Sequence, residues 1–178
     1  MFFKLNASLV LTALAFFQAA RASPVNNGEL VLLSTEETAT GTITIWGIPD
    51  ADTSAKREAA LTPTQQKRQC GSNNVTCSGD HTADTNSCQQ LINSLSSNSG
   101  QGVGTSPRSI CQSVNGNQCC VSWADPVSGL TQGDLVSAAQ EVLDDCGGNS
   151  VSGLSRNTNL NGICTTQCLS NRADGCSD

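Results

Sequence analysis

Several residue types are nearly absent from the cysteine-rich C-terminal part of this 178-residue chain. After Arg68 there is no lysine, phenylalanine or tyrosine, and Trp123 and His81 are the only tryptophan and the only histidine. Three arginines oppose nine acidic side chains in the same part. Nucleic acids and anionic membranes are bound by surfaces rich in lysine and arginine. The composition therefore argues against both, and we expect no nucleic-acid partner.

The same part lacks the residue sets on which hydrolytic sites depend. There is no G-x-S-x-G motif, which would mark the nucleophilic serine of a hydrolase. A ribonuclease needs a paired acid and base, and the single His and Glu141 are a poor set for that role. Glycoside hydrolysis requires paired carboxylates in a cleft lined by aromatic rings. His81 follows Asp80 directly, but chain neighbours rarely face one another, and we interpret His81 as a surface turn residue. We predict that the protein is not an enzyme and uses no cofactor.

The chain begins with the pattern of a secretory signal peptide over residues 1–22. Lys4 supplies the positive charge, residues 9–17 are apolar except for one threonine, and residues 20–22 form an A-x-A cleavage site. The apolar stretch is shorter than the roughly 20 residues that a membrane span requires. We therefore predict a secreted, extracellular protein without a transmembrane segment.

Residues 23–68 contain no cysteine and are predicted to be a pro-segment. Two dibasic pairs end at Arg57 and Arg68, and kexin-type proteases recognise such pairs through acidic subsites. We predict processing at these arginines and a mature domain over residues 69–178. Residues 42–48 alternate like a strand, which could cover an apolar edge during folding, although a disordered spacer fits equally well.

The ten cysteines make up about 9% of the predicted mature domain, a density typical of a disulfide scaffold in a secreted chain. If Cys119 and Cys120 lie in a strand, their side chains point to opposite faces and must bridge to different elements. Cys88 and Cys146 should tie the helices to the sheet or to each other. Zinc ligation is the alternative for Cys119-Cys120 and for Cys164 with Cys168, but the signal peptide and the single histidine argue against a metal. The spacing of the cysteines does not determine which of them pair. We predict that all ten form disulfides, namely Cys70, Cys77, Cys88, Cys111, Cys119, Cys120, Cys146, Cys164, Cys168 and Cys176.

Apolar side chains at helical spacing predict two helices. The first contains residues 88–95 and begins at Asp84 or Thr85. The second covers residues 135–146, begins with a capping-box-like pair at Thr131 and Asp134, and ends before two glycines.

Asn115-Gly116 separates two strand-like segments, residues 109–114 and 117–123, and favours a type I′ hairpin. Residues 74–77 could add a strand, and either residues 151–154 or 160–164 could supply the last one. The resulting order of elements is a split β-α-β pattern. We therefore predict an α+β fold, a small disulfide-rich two-layer α/β sandwich with two helices on an antiparallel sheet.

Four surface features are candidates for function. Asn74 heads an N-x-T acceptor and is a predicted glycosylation site. Trp123 either anchors a partner or sugar or packs in the small core, and we favour the core. Arg108 would face a protease if the loop from residue 100 to 108 were exposed. The polar helix face at positions 137, 140, 141 and 144 is a further possible contact surface.

Several short motifs resemble those of a known fungal family. They are Val75-Thr76-Cys77-Ser78-Gly79-Asp80-His81, the cysteine of the first helix, Pro107-Arg108-Ser109-Ile110-Cys111, Cys119-Cys120-Val121-Ser122-Trp123 and the segment from Asn161 to Ser170. Together they are similar to the small secreted cysteine-rich proteins of filamentous ascomycetes known as WD-like domain proteins, which are not WD40 propellers. The resemblance covers nearly all of residues 69–178. It implies secretion and disulfides, and it carries over no catalytic residue.

A looser likeness is to fungal and viral killer toxins. These are disulfide-rich α/β sandwiches that are released by dibasic cleavage and act on membranes or channels of competitors. One branch depends on a basic residue, and since no lysine follows Arg68, only Arg108, Arg156 and Arg172 could supply that charge in the predicted mature domain.

Two hypotheses of function follow. The first is a secreted, non-enzymatic effector or killer-toxin-like protein that acts outside the fungal cell as a monomer. Its target would be an extracellular protein, a membrane or the cell wall. The second is an extracellular binding module, such as a protease inhibitor or a cell-wall-associated protein.

Overall fold

A computed structural model describes residues 30–48, 70–104, 107–174 and 176. The predicted signal peptide and the processing residues Arg57 and Arg68 lie outside these ranges. Within them the chain forms nine strands, two α-helices and one 3₁₀ turn. In chain order these are β1 Val31–Thr38, β2 Gly41–Gly47, β3 Asn74–Cys77, β4 Ala83–Asp84, α1 Thr85–Ser97, β5 Pro107–Val114, β6 Asn117–Trp123, the 3₁₀ turn Gln132–Leu135, α2 Val136–Cys146, β7 Ser150–Val151, β8 Gly153–Leu160 and β9 Ile163–Ser170.

Seven strands form one antiparallel sheet in the order β1-β2-β5-β6-β9-β8-β3, while β4 and β7 pair separately. Helix α1 lies over β5 and β6, α2 lies over β3, β8 and β9, and the two helices touch. The helices therefore cover the part of the sheet that begins at β5. Strands β1 and β2 extend the sheet beyond that cover.

The predicted two-layer α/β sandwich is wrong, because strands dominate the fold. Residues 31–47 add a hairpin to one edge of the sheet, and residues 153–170 form two long strands where a single last strand was expected. The turn between these two strands is Asn161-Gly162, with φ values of 47° and 89°. The predicted strand over residues 160–164 spans this turn. The result is a β-rich fold with two short helices on part of a large sheet.

Both predicted helices are present, and their caps explain where they begin. The Asp84 side chain accepts a hydrogen bond from the Ser87 backbone N–H at 2.8 Å, which satisfies one free donor at the start of α1. The 3₁₀ turn that leads into α2 begins with the predicted capping pair, in which Asp134 accepts from the Thr131 backbone N–H at 2.8 Å. The apolar faces of both helices are buried, and each fully buried leucine contributes roughly 1.5–3 kcal/mol.

All ten cysteines are paired. Cys119 bonds to Cys88 of α1, whereas Cys120 bonds to Cys111 of β5, so the two neighbours bridge to different elements as predicted. Cys146 of α2 is tied to the sheet through Cys77 of β3. The two remaining bonds are Cys70–Cys164 and Cys168–Cys176.

The hairpin of β1 and β2, residues 31–47, is called the edge hairpin below. Strand β2 pairs with β5 in a register that runs from Thr42 opposite Ser113 to Gly47 opposite Pro107, and Ile43 and Ile45 pack against the core. The strand predicted over residues 42–48 is therefore present and is not a disordered spacer. All ten cysteines follow residue 69, so no disulfide holds the edge hairpin to the rest of the sheet.

The lengths of the closed loops predict how much each disulfide stabilises the fold. Cys88–Cys119 spans 31 residues, whereas Cys168–Cys176 spans 8. By loop-closure entropy, replacing the first pair with alanines should lower the free energy of unfolding by about 1 kcal/mol more than replacing the second. Urea titration of the two double variants measures this difference. An equal or larger loss for the Cys168–Cys176 pair would contradict the prediction.

Candidate functional site

A cavity of about 690 Å³ lies between the edge hairpin and the cysteine-rich part of the chain. Its volume falls in the range of sites that bind small molecules. The cavity is called the Trp–Arg cavity because both tryptophans of the chain and two arginines line it. The lining residues are Leu30, Trp46, Ile48, Arg108, Gln118, Trp123, Asn171, Arg172, Ala173, Asp174 and Cys176.

The edge hairpin supplies an apolar wall to this cavity. Trp46 is half-buried on β2, and its indole Nε1 donates a hydrogen bond to Thr44 Oγ1 at 3.1 Å, which orients the ring along the strand. Leu30 directly precedes the edge hairpin and Ile48 directly follows it, and Ile48 keeps 37% of its surface exposed. This wall exists only while β2 stays paired with β5.

Arg108 and Arg172 bring positive charge to the cavity. Arg108 is half-buried on β5, and its Nε donates to the Trp123 backbone carbonyl at 3.1 Å. Burial lowers the pKa of Arg108 while the charge of Asp125 raises it, yet an arginine remains protonated at physiological pH. Within the described ranges neither Arg108 nor Arg172 has a carboxylate oxygen within 4.0 Å. Among the described residues no carboxylate therefore lies within ion-pair distance of either guanidinium group, although Asp125 is near enough for its charge to act on Arg108.

The two predicted contact residues, Trp123 and Arg108, lie together in this site. Trp123 is only 1% exposed, which fits the preferred interpretation as a core residue and excludes an exposed anchor. Its Nε1 has no hydrogen-bond partner in the described part of the chain. Arg108 sits between β2 and β6 in the sheet and not in an exposed loop.

The remaining members of the cavity are not evident from the sequence alone. Trp46 belongs to a segment whose strand pattern was recognised, but alternation does not reveal which strand it pairs with. Arg172 and Asn171 follow the last strand, and no sequence motif marks them as cavity residues. The only sequence signal that points to this cavity is the rarity of positive charge, because two of the three arginines after Arg68 line it.

His81 lies beside a second cavity of about 260 Å³ that Ser78, Asp80, Ser152 and other residues line. The residue is exposed with a positive φ of 54°, as expected for a surface turn. Its backbone carbonyl accepts from the Asn171 N–H at 2.9 Å. Across the described residues no hydrogen bond joins the His81 ring to a serine hydroxyl, so the arrangement lacks the nucleophile–base contact of a triad.

The other predicted surface sites lie apart from the Trp–Arg cavity. Asn74 is exposed at the start of β3, and its glycosylation stays a prediction. The polar face of α2 is held by hydrogen bonds, since Asp144 accepts from Gln140 at 2.7 Å and Glu141 accepts from Asn73 at 2.9 Å. In the parts of the chain that the structure describes, no cluster of three or more His, Cys, Asp or Glu residues could hold a metal ion.

The Fungal WD-like family model matches residues 40–176. The match covers most of the chain, and the protein therefore belongs to the Fungal WD-like family, as the motifs of the cysteine-rich part predicted. The matched region begins at the turn of the edge hairpin and includes β2, so the family's domain extends into the predicted pro-segment. No curated protein and no solved structure matches the chain. A likeness to killer toxins gains no support from these comparisons.

The five disulfides fit an oxidising, extracellular environment. None of the helices in the described ranges is long and apolar enough to span a membrane.

The different burial of Trp46 and Trp123 predicts their fluorescence. The chain has no tyrosine, so emission reports on these two residues alone. W46F should leave a blue-shifted emission that acrylamide quenches less than the wild-type emission, because Trp123 is buried and Trp46 is partly exposed. The difference should disappear in urea. Equal quenching of native wild type and native W46F would contradict the assigned burial.

Proposed function

We propose that this protein is a secreted, non-enzymatic fungal effector that acts outside the cell by binding a target through the Trp–Arg cavity. The observation that carries the proposal is the pair of arginines, Arg108 and Arg172, that line a cavity of ligand size and have no carboxylate oxygen of the described residues within 4.0 Å. Arg108 is half-buried, and a charge held partly out of water without a close counter-ion costs free energy that an anionic ligand would offset. Arg172 is exposed, so its charge is accessible to a ligand.

The disulfides support the extracellular part of the proposal. A domain with few large apolar side chains gains stability from covalent links that survive outside the cell, where the medium is oxidising and proteases are present. Family membership supports a fungal origin of the function and assigns no catalytic residue. The toxin-like variant of the hypothesis rested partly on an α/β sandwich, and the β-rich sheet removes that support.

The alternative is an extracellular binding module, such as a protease inhibitor or a cell-wall-associated protein. Inhibition through Arg108 would require that side chain to project from an exposed loop. Arg108 lies in β5 with its Nε bonded to Trp123, which disfavours this form of the alternative. A wall-associated role is compatible with the same cavity, because a wall component could also fill it.

A growth-inhibition assay tests the proposal. The oxidised full chain would be applied to competing fungi and to plant cells, beside the same protein reduced and alkylated. We expect growth inhibition by the oxidised protein only, a weaker effect for R172Q and an unchanged effect for R156Q. Arg156 is a suitable control because it is an exposed arginine on β8 that does not line the cavity.

Each result has a distinct meaning. Inhibition that persists after reduction would refute a fold-dependent effector. Equal losses in R172Q and R156Q would point to net charge and not to the cavity. No effect on any cell would refute the effector and leave the binding module as the remaining hypothesis.

A further inference from the structure

We propose that the Trp–Arg cavity binds a small organic carboxylate with an apolar body. This proposal deepens the proposed function, because it names the chemistry of the ligand at the same site. The charge requirement comes from Arg108 and Arg172, which together provide hydrogen-bond donors without carboxylate partners in the described part of the chain. Arginine guanidinium groups match a carboxylate in geometry and can bind both of its oxygens.

The volume and lining of the cavity favour an apolar body for the rest of the ligand. A single inorganic anion would fill only a small part of about 690 Å³. Trp46, Leu30 and Ile48 line the side formed by the edge hairpin, and this wall favours an apolar body. Asp174 also lines the cavity, and its negative charge would repel an anion. Asp174 is exposed, however, and its one negative charge is outnumbered by the two positive charges of the arginines.

Fluorescence provides the direct test, since both tryptophans line the cavity. Cyclohexanecarboxylate is the charged probe and cyclohexylmethanol is its neutral counterpart, and neither absorbs at the excitation wavelength for tryptophan. We expect a saturable change with the carboxylate at constant ionic strength and a much smaller one with the alcohol. R172Q should weaken binding about fivefold, the effect expected for loss of one exposed charge pair, whereas R156Q should not.

Four outcomes would overturn the proposal. They are no saturable change, an equal response to the alcohol, an equal response to sodium sulfate, and equal weakening in both arginine variants. Binding with no growth inhibition would refute the effector function while leaving the ligand class intact. Growth inhibition without binding of the carboxylate would refute the ligand class while leaving the effector function intact.

A second inference rests on the edge hairpin. The geometry points to a mature protein of two chains, in which the edge hairpin stays bound without a covalent link after cleavage at Arg57 or Arg68. Its only covalent connection to the cysteine-rich part passes through residues 49–69, because it contains no cysteine. The pairing of β2 with β5 therefore decides whether cleavage releases it.

Several contacts favour retention. The paired register extends along β2 from Thr42 to Gly47, and Gln112 Nε2 donates to Thr40 Oγ1 in the hairpin turn at 2.9 Å. Ile43 and Ile45 pack against the core, so release would expose them and the matching surface. Release would also leave β5 as an unpaired edge strand, which invites aggregation.

The test is digestion of the disulfide-bonded full chain with a dibasic-specific protease, followed by native mass spectrometry and gel filtration. We expect both fragments in one particle under native conditions and their separation in urea without a reducing agent. I45D should release the hairpin fragment on cleavage, because it places a charge against the core. L33D is the matched control, since Leu33 lies on β1 and is 39% exposed.

Loss of the hairpin fragment from the cleaved wild-type protein would overturn the inference. Resistance of both dibasic pairs to the protease would do the same, because the two-chain form requires a cut. Retention in cleaved I45D would show that core packing of β2 does not hold the fragment.

Discussion

The β5–β6 hairpin is the constraint on which the rest of the structure depends. Its Asn115-Gly116 turn adopts two positive φ values, 50° and 82°, and fixes the register of the two strands. Cys111–Cys120 joins the strands directly, and Cys88–Cys119 fastens α1 to β6. Every further layer is added to this unit: β9 pairs with β6 on one side, β2 pairs with β5 on the other, and the helices cover one face.

The elements that could be predicted are those whose signals are local. Helix periodicity, the Asp84 cap and the first Asn-Gly turn each act within a few residues, and the structure follows them. The second Asn-Gly turn, Asn161-Gly162, is also a local signal, but the sequence of β8 before it lacks the alternation typical of a strand. Ser155 and Thr158 of β8 are buried, and the Thr158 hydroxyl donates to the Ser155 backbone carbonyl at 3.1 Å. Buried polar side chains that satisfy one another erase the apolar alternation that normally predicts a strand.

The candidate site could be predicted only in part, for a different reason. Arg108 and Trp123 are identifiable as candidates from the sequence because arginine and tryptophan are rare after Arg68. Trp46 lies 62 residues before Arg108 in the numbering, and only the pairing of β2 with β5 brings the two to one cavity. A period of two predicts a strand but does not identify its neighbour in the sheet. The cavity therefore depends on which strands are neighbours in the sheet, and the composition of the chain does not predict that order.

The edge hairpin and the cavity are thermodynamically coupled, since one forms a wall of the other. A ligand that contacts Trp46 on β2 and Arg108 on β5 binds only the paired state of these strands. By linkage, such a ligand stabilises the pairing, and at 100 times its dissociation constant the gain is about 2.7 kcal/mol. That gain matters most once the covalent connection is cut, because non-covalent contacts alone then hold the edge hairpin. Proteolytic processing would thus leave a wall held by non-covalent contacts that a bound ligand strengthens, and the same six-residue ladder would contribute to both stability and binding.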